Sequence, residues 1–214
     1  MDNRLLIATT NSGKLREVHA LLADQPLRVA SLTDFPDILE PNEDGGALEE
    51  NARLKAMYYA ERTGLWTLAD DSGLEVDALN GEPGVRSARY AGETADDGAN
   101  NAKLIAALAV VPPDRRNARF RCVMVLARPG CVVCTSQGVI EGYIVDHACG
   151  SNGFGYDPHF FVPEYGQTTA EMPPGLKNRI SHRAHALRGI IPQILRHVLA
   201  SDAKTGPPGG WKTV

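Results

Sequence analysis

Short apolar runs alternate with helix-period segments along this chain, and that alternation is what most limits the folds open to it. Leu5-Leu6-Ile7-Ala8-Thr9-Thr10 is of β type and passes through Asn11-Ser12-Gly13 into a helix whose Leu15, Val18 and Leu22 share one face. A second helix is predicted over about 47–62, with acids early and Gly64 as its stop. Leu65-Trp66-Thr67-Leu68-Ala69 is the next strand and ends at Asp70-Asp71-Ser72-Gly73. Residues 74–79 alternate before Asn80-Gly81 turns the chain. A third helix covers about 96–110 and is stopped by Pro112-Pro113.

Beyond it, Phe120, Cys122, Met124 and Leu126 line one face of a strand, with Arg119 and Arg121 on the other. Residues 132–135 and 139–145 read as two further strands separated by Ser136-Gln137-Gly138. A Gly-rich loop over 150–155 gives way to Phe160-Phe161-Val162. The last helix starts near Ser181-His182 and runs to about 200, with a kink expected at Pro192. No repeat or linker interrupts the pattern. The expectation is one α/β domain over 1–200, with a flexible tail over 201–214.

Composition narrows the function classes. The chain has 214 residues, 43% apolar and 22% charged, which suits a globular domain with a sizeable core. Its formal net charge of −4 speaks against a dedicated nucleic-acid binder, and Arg115, Arg116, Arg119 and Arg121 read as a solvated strand edge. No apolar run approaches the ~20 residues of a membrane helix. Residues 5–8 are too short a run for a signal-peptide core, so the cytoplasm is the expected compartment. Four cysteines are too few for a disulfide scaffold; Cys131-Val-Val-Cys134 has redox or half-zinc spacing but lies in an apolar stretch that reads as strand. The modest net charge hides an asymmetry: residues 34–97 hold 16 acidic and 5 basic side chains, while the remainder is net basic. Solvated helix faces would explain this, and so would a site where acids hold a metal and bases hold an anion.

Four constellations could carry chemistry. Thr9-Thr10-Asn11-Ser12-Gly13-Lys14 lies at a strand-to-helix junction, where free backbone N–H groups and the helix dipole favour phosphate. It is not a Walker A loop, since Ala8 and Leu15 stand where Gly and Ser or Thr are required. An ordinary helix cap would look the same. Asp70-Asp71 at a strand end point to opposite sides, so one can face a metal and the other can support it. Asp-Ser-Gly is also turn chemistry, but a second acidic group, Glu43-Asp44, precedes the second helix. Gly153-Phe154-Gly155-Tyr156-Asp157-Pro158 sets aromatics among glycines, which suits base stacking, with Asp157 able to accept from a ligand. Lys177, Arg179, His182 and Arg183 gather cations around a helix start, against its dipole.

Together with Glu50-Asn51-Ala52, Lys55-Ala56 and Pro83-Gly84-Val85-Arg86-Ser87-Ala88-Arg89-Tyr90, these residues strongly resemble the inosine triphosphate pyrophosphatase family, the XTP/dITP diphosphatases, over residues 5–187. The resemblance implies an elongated two-lobed α/β fold with a central mixed sheet flanked by helices and a cleft between the lobes. It implies a homodimer that hydrolyses ITP, dITP and XTP to the monophosphate and pyrophosphate with Mg²⁺, clearing deaminated purines from the nucleotide pool. Carried over by position, Thr9, Thr10, Asn11, Ser12, Gly13, Lys14 and Ser72 hold the triphosphate, with Lys55 on the substrate side. Glu43, Asp70 and Asp71 are the metal-side acids, with Asp71 also the proton acceptor. Phe154, Gly155, Tyr156, Asp157, Lys177, His182 and Arg183 match nucleotide-binding positions.

Thr10 stands where many members carry Gly, and Asp44 competes with Glu43 for the metal role. Base choice has a physical route. Hypoxanthine and xanthine present a C6 carbonyl, so donation from Arg183 or His182 would reject adenine, whose amino group leaves that donor unpaired. A relative acting on modified pyrimidines and a non-catalytic nucleotide-binding module are the rival readings; the metal-side acids speak against the second.

Overall fold

The computed structural model describes residues 4–199, and in it the alternation becomes one sheet of seven strands. In chain order the main elements are β1 (Arg4–Ile7), α1 (Ser12–Leu22), β2 (Arg28–Ser31), α2 (Leu48–Thr63), β3 (Trp66–Val76) and α3 (Asp97–Ala107). They continue with β4 (Asn117–Arg128), β5 (Cys131–Ile144), β6 (Phe160–Val162), β7 (Gln167–Thr168), α4 (Pro174–Ile180) and α5 (His182–Ile194). The spatial order is β2-β1-β3-β4-β5-β6-β7, parallel among β2, β1 and β3 and antiparallel from there on. The sheet is therefore mixed, as expected. The 201–214 tail lies outside the described residues.

Strand alternation divides the core. Leu5, Ile7, Leu68, Cys122, Met124 and Leu126 pack under α1 and α5, whose Val18, Leu187 and Ile190 complete that layer. Leu6, Ala8, Ala69, Val123 and Val125 face α2, where Ala52, Ala56 and Ala60 let the helix lie close. A third cluster, including Leu74, Phe120, Ile140, Phe160 and Leu104 of α3, forms around the far halves of β3–β5 and makes the second lobe. The local signals hold where they were strong: α2 ends on Gly64 at φ 70°, and the Asp96 side chain caps α3.

Two expected breaks are absent. β3 runs unbroken through Asp70-Asp71-Ser72-Gly73, each paired in register with β4 from Met124 back to Arg121. Gly73 is there for a close approach, since a Cβ would lie 2.2 Å from the Gly84 carbonyl oxygen. β5 likewise runs through Ser136-Gln137-Gly138. A Cβ on Gly138 would meet the His182 oxygen at 2.2 Å and the Ala186 nitrogen at 2.4 Å, so this glycine seats the start of α5 on the sheet.

One smaller expectation changes as well, and two are refined. β4 is the central strand, not an edge; Arg119 and Arg121 pair with Glu75, Asp77 and Glu141, and buried Arg116 pairs with Asp146. Cys131 and Cys134 are free and sit three residues apart in β5. Extended backbone puts such a pair about 10 Å apart, beyond the roughly 7 Å a disulfide spans. The last helix continues past Pro192 as a π-turn over Leu195–Leu199, with the Leu195 amide reaching the carbonyls of Ile191 and Pro192.

Candidate functional site

The site is built on the two sides of one strand. Asp70 and Asp71 are consecutive in β3, so their carboxylates leave the sheet in opposite directions. Asp70 points under α1 and α5, where Lys14 Nζ lies at 3.1 Å and Arg183 Nη2 at 3.4 Å, with the Cys122 thiol at 3.9 Å. Burial alone would raise the Asp70 carboxyl, but Lys14 and then Arg183 hold it far below the ordinary carboxylate range. Arg183 is almost fully buried and also donates to Ser72 Oγ at 2.9 Å and to Glu17. Glu17 lies 2.8 Å from Lys177 Nζ, which also pairs with Asp157. Three carboxylates and three cations thus form one buried network.

Asp71 points the other way, toward α2. Its Oδ2 accepts from Asn51 Nδ2 at 3.2 Å and its Oδ1 lies 3.4 Å from Lys55 Nζ. The same ammonium holds Glu43 Oε2 at 2.8 Å, and Arg89 donates to the Glu43 carbonyl at 2.7 Å. Burial would lower the Lys55 pKa, but Asp71 and Glu43 raise it. The structure therefore brings together Glu43 and Asp71 but not Asp70, which faces the other side of the sheet. Asp44 is also outside the pair, its carboxylate accepting from Asn42 at 3.4 Å. Among the described residues no three His, Cys, Asp or Glu side chains converge as a metal cluster. Two carboxylates around one cation still fit Mg²⁺, which takes one or two protein carboxylates and completes its shell with phosphate oxygens and water. Glu43 and Asp71 are the residues that could hold it.

The strand-to-helix loop leads into α1 and carries Lys14 to Asp70. Asn11 caps α1 by accepting the Lys14 amide at 3.0 Å, and the Leu15 amide bonds the Asn11 carbonyl. The amides of Ser12 and Gly13, first in the helix, have no acceptor within it and can meet phosphate. Side chains next to them are engaged: Thr9 Oγ1 accepts the Asn11 amide at 3.3 Å, and Thr10 Oγ1 donates to Glu40 at 3.4 Å. Gly13 has a second duty, because a Cβ there would fall 2.4 Å from Phe154 Cδ1.

Phe154 walls a cleft between the lobes, with Lys177 Nζ 4.8 Å and the Arg183 guanidinium 5.7 Å from its ring centre. Across that cleft His182 stacks on Phe120, ring centres 4.9 Å apart and planes at 18°. Its Nδ1 is buried, with no partner among the described residues. Burial, then the nearby Arg183 and Lys177 charges, lower its pKa well below that of free histidine, so the ring is neutral. Asp157 differs from the expectation of a free acceptor. Its Oδ2 takes the Phe154 amide at 2.8 Å and Lys177, and its Oδ1 takes Thr169 Oγ1 at 2.8 Å, so the carboxylate shapes the loop. Tyr156 is also committed, donating to the Ser87 carbonyl at 2.7 Å. Gly155 is tied on both sides to α3, its amide to Asp97 at 2.7 Å and its carbonyl to Asn101 at 2.9 Å.

The cation cluster also reads differently in three dimensions. Lys177 lies in the last turn of α4, where the dipole favours a cation, while His182 and Arg183 open α5 behind the Ser181 cap. Arg183 is tolerated there because Asp70 and Glu17 neutralise it. Sequence reasoning missed Glu17, Asp97 and Asn101, and named Asn51 only within the resemblance, without a role. A signal existed for two of them: Glu17 is one helical turn from Lys14, and Asn51 and Lys55 share a face of α2 at i, i+4.

The sequence profile of the Ham1 family matches residues 5–193. A dITP/XTP pyrophosphatase from Geobacter sulfurreducens is 55% identical over 86% of this chain and 92% of its own. A HAM1 protein from Coxiella burnetii has a similar structure, with TM-score 0.82 at 40% identity, covering 92% of this chain and 100% of its own. A nucleoside-triphosphatase, or dITP/XTP pyrophosphatase, from Mycobacterium abscessus superposes with TM-score 0.71 at 43% identity, covering 88% and 99%.

Proposed function

Because the chain belongs to the Ham1 family, we propose that it is a pyrophosphatase for dITP, ITP and XTP, cleaving between the α and β phosphates. One observation carries the reading: a single strand presents Asp71 to Glu43 and Lys55 on one face and Asp70 to the buried cations around the cleft on the other. The base would lie in the cleft on the Asp70 side, and its phosphates would have to extend past the start of α1 to reach the acids on the Asp71 side.

Phe154 stacks the base, and the Ser12 and Gly13 amides with Lys14 bind phosphate. Neutral His182 and the Arg183 guanidinium donate to a C6 carbonyl; an adenine amino group would leave a buried donor unpaired. Glu43 and Asp71 would hold Mg²⁺, which supplies charge neutralisation on the phosphate oxygens. Asp71 orients the attacking water and takes its proton as the oxygen adds to phosphorus and pyrophosphate leaves. Lys55, between the two carboxylates, keeps them from repelling one another.

The protein is further proposed to work as a homodimer in the cytoplasm; among the described residues no helix is long and apolar enough to cross a membrane. Sedimentation measures the first point. Chromatography of the products from ITP, XTP, GTP and ATP with Mg²⁺, beside Asp71→Asn, tests the activity. Monophosphate and pyrophosphate should appear from ITP and XTP, and Asp71→Asn should be nearly inactive. Equal turnover of ATP or GTP, or a wild-type rate in Asp71→Asn, would overturn the reading.

A further inference from the structure

We infer that Asn51 is the positioning residue of the acid pair, its one carboxamide fastening the loop that bears Glu43 to the carboxylate of Asp71. The inference rests on the role of Asp71 given above and adds a residue to which that role assigned nothing. Asn51 lies in the first turn of α2 and is 1% exposed. Its Oδ1 accepts the Gly45 amide at 2.9 Å and its Nδ2 donates to Asp71 Oδ2 at 3.2 Å. The two bonds fix the amide's orientation. Flipped, it would aim NH₂ at a backbone donor and its oxygen at a carboxylate.

The loop is shaped around this contact. A Cβ on Gly45 would lie 2.5 Å from Asn51 Oδ1, so a side chain there would push the loop away. The next amide, Gly46, bonds Glu50 Oε2 at 2.8 Å, and Arg89 holds the Glu43 carbonyl from the other side. Glu43 is thus delivered by a strap pinned at both ends, and one pin is Asn51.

The consequence for Asp71 is directional. A carboxylate swings broadly about its last torsion unless something holds it. With Oδ2 engaged by Asn51, Oδ1 is left on the side of Lys55 and Glu43, where the metal and the water are needed. Partners that orient metal-side carboxylates in this way typically matter by about 10–100-fold in affinity or rate.

The test compares wild type, Asn51→Asp and Asn51→Ala. Asn51→Asp keeps an oxygen for the Gly45 amide but loses the donor and sets a second carboxylate against Asp71; Asn51→Ala removes both contacts. Both variants should lose about 10–100-fold in kcat on ITP with Mg²⁺ while KM stays within about threefold. Without nucleotide, Mn²⁺ binding followed by electron spin resonance should weaken by about the same factor in Asn51→Ala. Amide exchange at Gly45 should quicken in Asn51→Ala and stay near wild type in Asn51→Asp. A folded Asn51→Ala with wild-type kcat overturns the inference, as does one whose kcat falls while its Mn²⁺ affinity is unchanged. Should Asn51→Asp fail to fold, Asn51→Ala decides. If wild type releases no pyrophosphate from ITP, the proposed activity falls, while Mn²⁺ binding and Gly45 exchange still judge Asn51.

Discussion

Asp70→Asn separates the two carboxylates that adjacency in sequence makes look alike. The Asp70 side chain is 4% exposed and lies between Lys14 at 3.1 Å and Arg183 at 3.4 Å. Asparagine keeps the shape and removes the charge, leaving two cations without their shared anion. Breaking a buried pair from one side costs about 3–5 kcal/mol. The lower end applies here, because Arg183 retains Glu17 and the Lys14 side chain is 14% exposed. A loss of about 3 kcal/mol is a large share of a domain's typical 5–15. At roughly 2–4 °C per kcal/mol for a chain of this size, the melting temperature should fall by about 6–12 °C at pH 7.

Calorimetry or circular dichroism reads that shift, and three comparisons sharpen it. Inorganic tripolyphosphate should narrow the gap, since it supplies the missing negative charge to Lys14. The gap should also close in acid. The folded Asp70 pKa is depressed, so its contribution is full above about 4, the unfolded value, and is lost as pH falls toward the folded one. Finally, the Mg²⁺ concentration giving half-maximal rate should stay close to that of wild type. A melting temperature within about 2 °C of wild type would refute the counter-ion reasoning. So would a variant of normal stability whose main defect is its Mg²⁺ requirement, which would return Asp70 to the metal side.

Other substitutions probe the same geometry. Gly138→Ala drives a methyl into the backbone of α5, so it should cost about 1–3 kcal/mol or more in a urea melt and raise KM for ITP by displacing His182 and Arg183. Gly13→Ala meets only the edge of the Phe154 ring, which can turn aside; stability should change little, while KM should rise at least fivefold or so as about 1–3 kcal/mol of base stacking is lost. Buried neutral His182 makes the unfolded chain bind one more proton once pH drops below about 6.5, so wild type should lose up to about 1.4 kcal/mol per pH unit there. Chemical denaturation at stepped pH should show a shallower slope in His182→Gln.

The sequence is legible where a local signal and the tertiary structure ask for the same thing. Gly64 stops α2 because the left-handed cap and the end of the apolar face coincide, and Asn11 caps α1 at the end of a buried strand. It misleads where partners distant in the chain outweigh local chemistry. Asp-Asp-Ser-Gly is turn material by itself, yet β4 supplies a partner for each of these residues, and cations from α1, α2 and α5 satisfy both carboxylates. Ser-Gln-Gly in β5 fails as a turn for the same reason: α5 needs its glycine for contact. The candidate site was legible as a set of residue types but not as an arrangement. Lys177 and Arg183 look like cations opposing a helix dipole until Glu17, 166 positions from Arg183, is placed between them. Asp157 looks like a free acceptor until Thr169 and Lys177 fill it.

The separation of charge along the chain acquires a structural meaning from the period of a strand. Had Asp70 and Asp71 stood at the turn their local sequence suggests, both could have converged on one ion, and Lys14 and Arg183 would have lacked a buried counter-charge. Strand alternation forbids that convergence. It assigns one carboxylate to each face and allows only Asp71 to join Glu43. The same alternation seats cations under α1 and α5 without a net buried charge, because each has an acid already in place. A triphosphate entering this cleft therefore does not meet unopposed positive charge. It must compete with Asp70 for Lys14, so binding should favour ligands that bring both a polyanion and a base to occupy the Phe154 wall. A bare polyphosphate supplies only the first of these, and should bind more weakly than a nucleotide of equal charge.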